Sequence, residues 1–168
     1  FCDGGQLIYL AQYLKGRAYI TREVEEELKF NSTRDPYKGL RTLERLGWPA
    51  DDHVLNLSPE LQLEVATVAR GLRDPGDHER KHLGEVATVL MAQELGGEMI
   101  ILDDGDGKAL AVKRKIVRCS SAMLAAEMVV ENAVDDASGY RVYLFSAPDG
   151  VGPQEWHQAL ARARAERA

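Results

Sequence analysis

The chain has 168 residues, 45% of them apolar, and a formal net charge of −6. That length suits a single domain able to bury a core, and the negative sum argues against a surface generally coated with nucleic acid, since nonspecific binding rests on Lys and Arg. No apolar run nears the roughly 20 residues of a membrane span and no charged start leads into an apolar signal core, so the sequence reads as a cytoplasmic globular protein with no membrane partner.

In chain order, Leu7, Leu10, Ala11 and Leu14 recur at helical spacing and stop at Gly16, a residue suited to ending a helix. Ala18-Tyr19-Ile20 reads as a brief extended piece, and Thr21 caps a helix carrying Val24, Glu27 and Leu28. Asn31 to Lys38 reads as loop. Leu40, Leu43 and Leu46 predict another helix, closed by Gly47-Trp48-Pro49, and His53 to Leu57 a strand. Ser58-Pro59-Glu60 combines a cap, a proline at the first helical position and an acid near the positive helix end. It opens a helix with Leu61, Val65, Val68 and Leu72 on one stripe.

Arg73-Asp74-Pro75-Gly76 is a turn, after which Asp77 is expected to cap a long helix ended by Gly96-Gly97. Met99 to Leu102 reads as a buried parallel strand ending at Asp103. A helix from about Lys108, a strand at Ile116-Val117 and a helix after Ser120 or Ser121 follow, and the tail with Trp156 and Leu160 reads as a peripheral helix. This alternation predicts an α/β fold, a three-layer sandwich with a central, mostly parallel sheet, whose ligand site lies beyond the carboxyl ends of the strands. Cys2 and Cys119 form no C-x-x-C pair, so both read as free buried thiols.

Four acids, Asp3, Glu27, Glu85 and Asp103, stand where elements begin or end. Carboxylates drawn together from such distances repel, and a divalent cation that collects hard oxygen ligands is the natural reason to converge them. A basic stretch, Lys108, Lys113, Arg114, Lys115 and Arg118, keeps a phosphate-bearing substrate open. Each residue also has a plainer reading. Glu25-Glu26-Glu27 is a charge run of the kind that forms a solvated helix face; Asp103-Asp104-Gly105 suits a simple turn; Lys113-Arg114-Lys115 suits a helix end. His78-Glu79-Arg80-Lys81-His82 matches H-E-x-x-H, which on a helix binds zinc in peptidases. The charged Arg80 and Lys81 beside a site that must be partly dry weigh against it.

The segments F-C-D-G-G-Q-L-I-Y-L, I-T-R-E-V-E-E-E-L, L-G-E-V-A-T-V-L-M-A-Q-E-L-G and I-I-L-D-D-G-D-G-K-A-L-A together resemble the PIN-domain nucleases, in particular the toxins of bacterial toxin–antitoxin pairs (VapC-like). The resemblance implies one PIN-like domain over 1–168, with a C-terminal extension from about 120 outside the match. It implies a catalytic quartet of Asp3, Glu27, Glu85 and Asp103. The metal ligands would come from Asp3, Glu85, Asp103, Asp104 and Asp106, and flanking phosphates would be held by Lys108, Lys113 and Arg114. The implied activity is endonucleolytic hydrolysis of RNA with Mg²⁺ or Mn²⁺, and the implied partners are RNA, a small antitoxin and a second copy of the chain. Gly4 departs from the Thr or Ser that follows the first Asp in the family, which keeps a non-catalytic, PIN-like binding or regulatory module as the alternative.

Overall fold

A computed structural model describes residues 7–34, 50–97, 99–103, 105–146 and 153–167. Asp3, Asp104, Cys2 and the helix expected around Leu40 to Leu46 lie outside them. Its elements run α1 (Leu7–Leu14), β1 (Ile20–Thr21), α2 (Arg22–Arg34), β2 (Val54–Leu55), α3 (Pro59–Leu72), α4 (Leu83–Leu95), β3 (Ile100–Ile101), α5 (Gly105–Lys113), β4 (Arg118–Cys119), α6 (Ser121–Val130), α7 (Asp136–Ser146) and α8 (Pro153–Ala165). None of the helices among the described residues is long and apolar enough to cross a membrane.

The expected three-layer sandwich is not what forms. Helix takes 66% of the described residues and strand 6%, in two separate parallel pairs, β1 with β2 and β3 with β4. The extended runs occur near where the sequence places them, but each ladder is two residues long. The physical reason lies in their faces. Ile100 and Leu102 are buried, whereas Met99, Ile101 and Val117 stay exposed, so β3 alternates like a strand covered on one side. A sandwich needs a parallel sheet covered on both.

Local signals set several helix boundaries. Ser58 Oγ accepts from Leu61 N at 3.2 Å with Pro59 in the first helical turn, and Ser120 Oγ does the same for Met123 N at the start of α6. Gly96 ends α4 at φ +64, with Gly97 N donating to Ala92 O; the left-handed geometry suits glycine. Two boundaries differ from expectation. Residues Asn31 to Arg34, read as loop, continue α2. Asp77 does not open the long helix, because its carboxylate turns back to accept from Asp74 N and to pair with Lys81, and α4 begins only at Leu83.

The main core lies between α3, α4, β3 and α5, where Leu61, Val65, Val86, Leu90, Leu102 and Leu110 pack together. A second cluster joins α6, α7 and α8 through Ala126, Tyr143, Trp156, Ala159, Leu160 and Ala163. The terminal helix is therefore deeply seated rather than peripheral. A third, smaller cluster packs Leu10, Tyr13 and Leu14 of α1 against Cys119, Leu124 and Met128.

Burial pushes the Cys119 thiol up to about 11, with the charges of Glu127 and Asp103 adding to the effect. Thiolate is the reactive form, and two units above an ordinary thiol mean about 100-fold less of it at neutral pH. In a Cys2→Ser background, the native chain should accordingly react with a thiol-labelling reagent at least about 100-fold more slowly than the unfolded chain. Equal rates in the two states would contradict this burial.

Candidate acidic site at the crossing of three helices

The three consecutive glutamates of α2 go to three different places, because successive residues of a helix turn by about 100°. Glu25 is held by Lys29 and Arg22 on its own helix, and the Lys29 hydrogen bond, with Arg22 assisting against desolvation, holds its carboxyl below the ordinary range. Glu26 pairs with Arg80. Glu27 points at α4, where its Oε2 would lie only 2.8 Å from a Cβ added to Gly84. Glycine at that position lets the carboxylate approach the helix.

Glu27 is exposed, yet its carboxyl is raised above the ordinary value, chiefly by desolvation against α4 and then by the charge of Glu85, with Arg80 opposing. Glu85 is half-buried. Its Oε2 is buried with no hydrogen-bond partner among the described residues, and a Cβ added to Gly107 of α5 would stand 3.1 Å from the Glu85 Cβ. Gly84 and Gly107 thus let α2 and α5 close on Glu85 from both sides. A buried polar group left unpaired costs about 1–3 kcal/mol, and two carboxylates in one crevice add repulsion. Both features fit a site completed by a cation.

One turn before Glu85 stands His82, 6% exposed. Its φ of +69 is left-handed and its side chain makes no cap hydrogen bond for α4. The Nε2 atom has no hydrogen-bond partner among the described residues and lies 3.6 Å from Asp106 Oδ2 in the first turn of α5. The H-E-x-x-H reading fails on this geometry. Residues 78–82 form turns, not helix, and His78 is exposed with its Nδ1 accepting from Arg80 N. The two imidazoles do not share a helix face.

Asp103 follows β3, and its Oδ1 accepts from Ser121 N at 2.9 Å, tying the strand end to the start of α6. Lys108 is half-buried within α5. Lys113 sits in the last turn of that helix, about 10 Å along the axis from Asp106 at roughly 1.5 Å per residue. Arg114 is engaged by Glu64 at 2.8 Å and Gln93 at 3.1 Å. Of the expected quartet, the structure brings Glu27 and Glu85 together, ties Asp103 to Ser121, and leaves Asp3 outside the described residues. Among the described residues no group of three His, Cys, Asp or Glu side chains is close enough to share one metal ion.

The sequence reading missed His82 as part of this place, having met it only inside H-E-x-x-H, and missed the two glycines as spacers. The available signal was spacing: His82, Glu85 and Val89 fall on one helical stripe, and Gly84 and Gly107 each adjoin an acid. No family model, curated protein or solved structure matches the chain.

Proposed function

We propose that the protein is a divalent-cation-dependent hydrolase of RNA phosphodiester bonds, working from the crevice between α2, α4 and α5. The observation that carries this reading is the pairing of Glu27 with Glu85, whose buried Oε2 lacks a partner among the described residues. The four sequence segments that resemble toxin-type PIN nucleases supply the substrate class. The sheet architecture that the resemblance implied does not form, so the reading rests on the carboxylates and those segments.

Glu85 suits a ligand to Mg²⁺ or Mn²⁺, which keep waters and need few carboxylates besides substrate oxygens. Such an ion supplies charge neutralisation at the scissile phosphate and a lowered pKa for a bound water. Glu27, raised by desolvation and by Glu85, is suited to take the proton from the attacking water at a carboxylate oxygen. That water forms the new bond to phosphorus as the bond to the 3′ oxygen breaks. Asp103 anchors the adjoining strand end through Ser121. Action on cellular RNA would place the protein in the cytoplasm.

The test is Mn²⁺-dependent cleavage of single-stranded RNA by the wild type and Glu85→Gln. We expect the substitution to reduce cleavage at least about 10³-fold while leaving far-UV circular dichroism unchanged; about 4 kcal/mol of transition-state stabilisation corresponds to that ratio. Cleavage that survives Glu85→Gln would overturn the reading. Metal-independent RNA binding without cleavage would instead identify a non-catalytic module.

A further inference from the structure

We infer that the crevice also contains a nitrogen donor, His82 Nε2, which with Asp106 Oδ2 forms a paired site for a borderline transition ion such as Co²⁺ or Zn²⁺ in preference to Mg²⁺. This deepens the hydrolase reading and rests on it for what the ion is used to do.

Three observations point to an ion between these groups. The His82 imidazole is buried to 6% exposure with Nε2 lacking a hydrogen-bond partner among the described residues, in a position where nothing in the capping of α4 requires it. Its separation from Asp106 Oδ2, 3.6 Å, is within reach of an ion pair if the imidazole is charged but exceeds the about 2.7–3.2 Å of a hydrogen bond. It lies close to the edge of a tetrahedron around an ion with bonds of about 2.0–2.1 Å, which is roughly 3.4 Å. Finally, Glu85 Oε2 is another buried polar atom without a hydrogen-bond partner among the described residues, three residues further on along the same stripe, whereas Asp106 reaches the pair from an exposed position.

Donor type sets the preference. Imidazole nitrogen binds Zn²⁺, Co²⁺ and their neighbours well, whereas Mg²⁺ favours oxygen-only surroundings in strict octahedral geometry. Two protein ligands leave positions for water or phosphate oxygens, as an open catalytic site requires. The left-handed φ of His82 limits which residues can replace it without strain, and Asn is among the few that tolerate it.

The experiment titrates the full-length chain with Co²⁺, read by its visible ligand-field absorption, and measures Mg²⁺ by competition. Wild type is expected to bind Co²⁺ on the order of tenfold or more tighter than Mg²⁺. His82→Asn and Asp106→Asn should each weaken Co²⁺ binding on the order of 10-fold or more and change the absorption band. His82→Asn should leave Mg²⁺ affinity within about twofold, whereas Asp106→Asn, which removes an oxygen ligand, should weaken both ions; a His82 role in packing alone moves neither the band nor the Co²⁺-to-Mg²⁺ ratio. His78→Asn, at an exposed imidazole, should change nothing. An unchanged Co²⁺ affinity and band in His82→Asn would overturn the inference. Failure of the two ideas is separable. Glu85-dependent RNA cleavage alongside His82-independent Co²⁺ binding removes this site and keeps the hydrolase. A His82-dependent Co²⁺ band with no cleavage under any ion removes the hydrolase and keeps the site.

Discussion

Glu85→Leu is expected to make the protein more stable at pH 7 while abolishing RNA cleavage. The native side chain places one carboxylate oxygen in the interior without a partner among the described residues and sets a negative charge beside Glu27. Replacing an unsatisfied buried polar group by an apolar one of similar shape is neutral to stabilising. We expect a gain on the order of 1 kcal/mol, or about 2–4 °C in the thermal midpoint for a chain of this size. The sign of the pH dependence follows from Glu27. Its carboxyl is raised in the folded state by desolvation first and Glu85 second, so the folded chain binds more protons than the unfolded one between the two values. Stability then falls as pH rises through that window, and the penalty is complete above it. As pH falls through that window Glu27 takes up its proton, its repulsion with Glu85 weakens, and the advantage of Glu85→Leu should shrink. Mn²⁺ should raise the midpoint of the wild type, because a ligand of the folded state stabilises it, and should do so less for the variant. A midpoint lowered at pH 7 would mean that Glu85 supports the fold instead of burdening it.

Trp156→Ala is expected to cost about 3–5 kcal/mol, the range for truncating a buried aromatic ring. Trp156 is 2% exposed. Its ring packs on Tyr143 with centroids 5.2 Å apart and on Tyr140 at 6.0 Å, while Nε1 donates to Asp136 Oδ1 at 3.0 Å. Gly139 of α7 lies so close that an added Cβ would meet the indole at 3.0 Å. The indole therefore fastens α8 to α7 by apolar contact and one polar tether. Against a total stability of about 5–15 kcal/mol typical of a domain, this single truncation is a large fraction. Urea unfolding at 25 °C measures it, with Trp156→Phe as an intermediate case that keeps a ring and loses the hydrogen bond. A loss under about 1 kcal/mol would show that the cavity collapses freely or that the helix contributes little.

Some of this was readable locally. Ser58-Pro59-Glu60 and Ser120 work as helix starts because a hydroxyl and its acceptor geometry lie within three residues. Gly16 and Gly96 end helices at positive φ because no side chain competes there. The extended runs were also located, but not their assembly. Strand pairing joins residues distant in sequence, and the apolar run from Met99 to Leu102 could not reveal that only alternate residues would be covered. Asp77 misled for a related reason. An Asp ahead of a helical pattern is equally able to close a turn on itself, and here it accepts from Asp74 N.

The acidic site divides along the same line. Sequence by itself determined the residue types, the helix that carries Glu85 and the small residues beside the acids, because capping, turn chemistry and helical period act over a few residues. Its place and the resemblance single out Glu27 from the run Glu25-Glu26-Glu27, but helical period alone does not say where each of the three points. Tertiary packing settles that, where Lys29 and Arg22 take the first, Arg80 takes the second, and the open backbone at Gly84 receives the third. Burial of His82, and the lack of a hydrogen-bond partner among the described residues at its Nε2 and at Glu85 Oε2, likewise arise only from tertiary packing, since desolvation belongs to the surroundings of a group and not to the group.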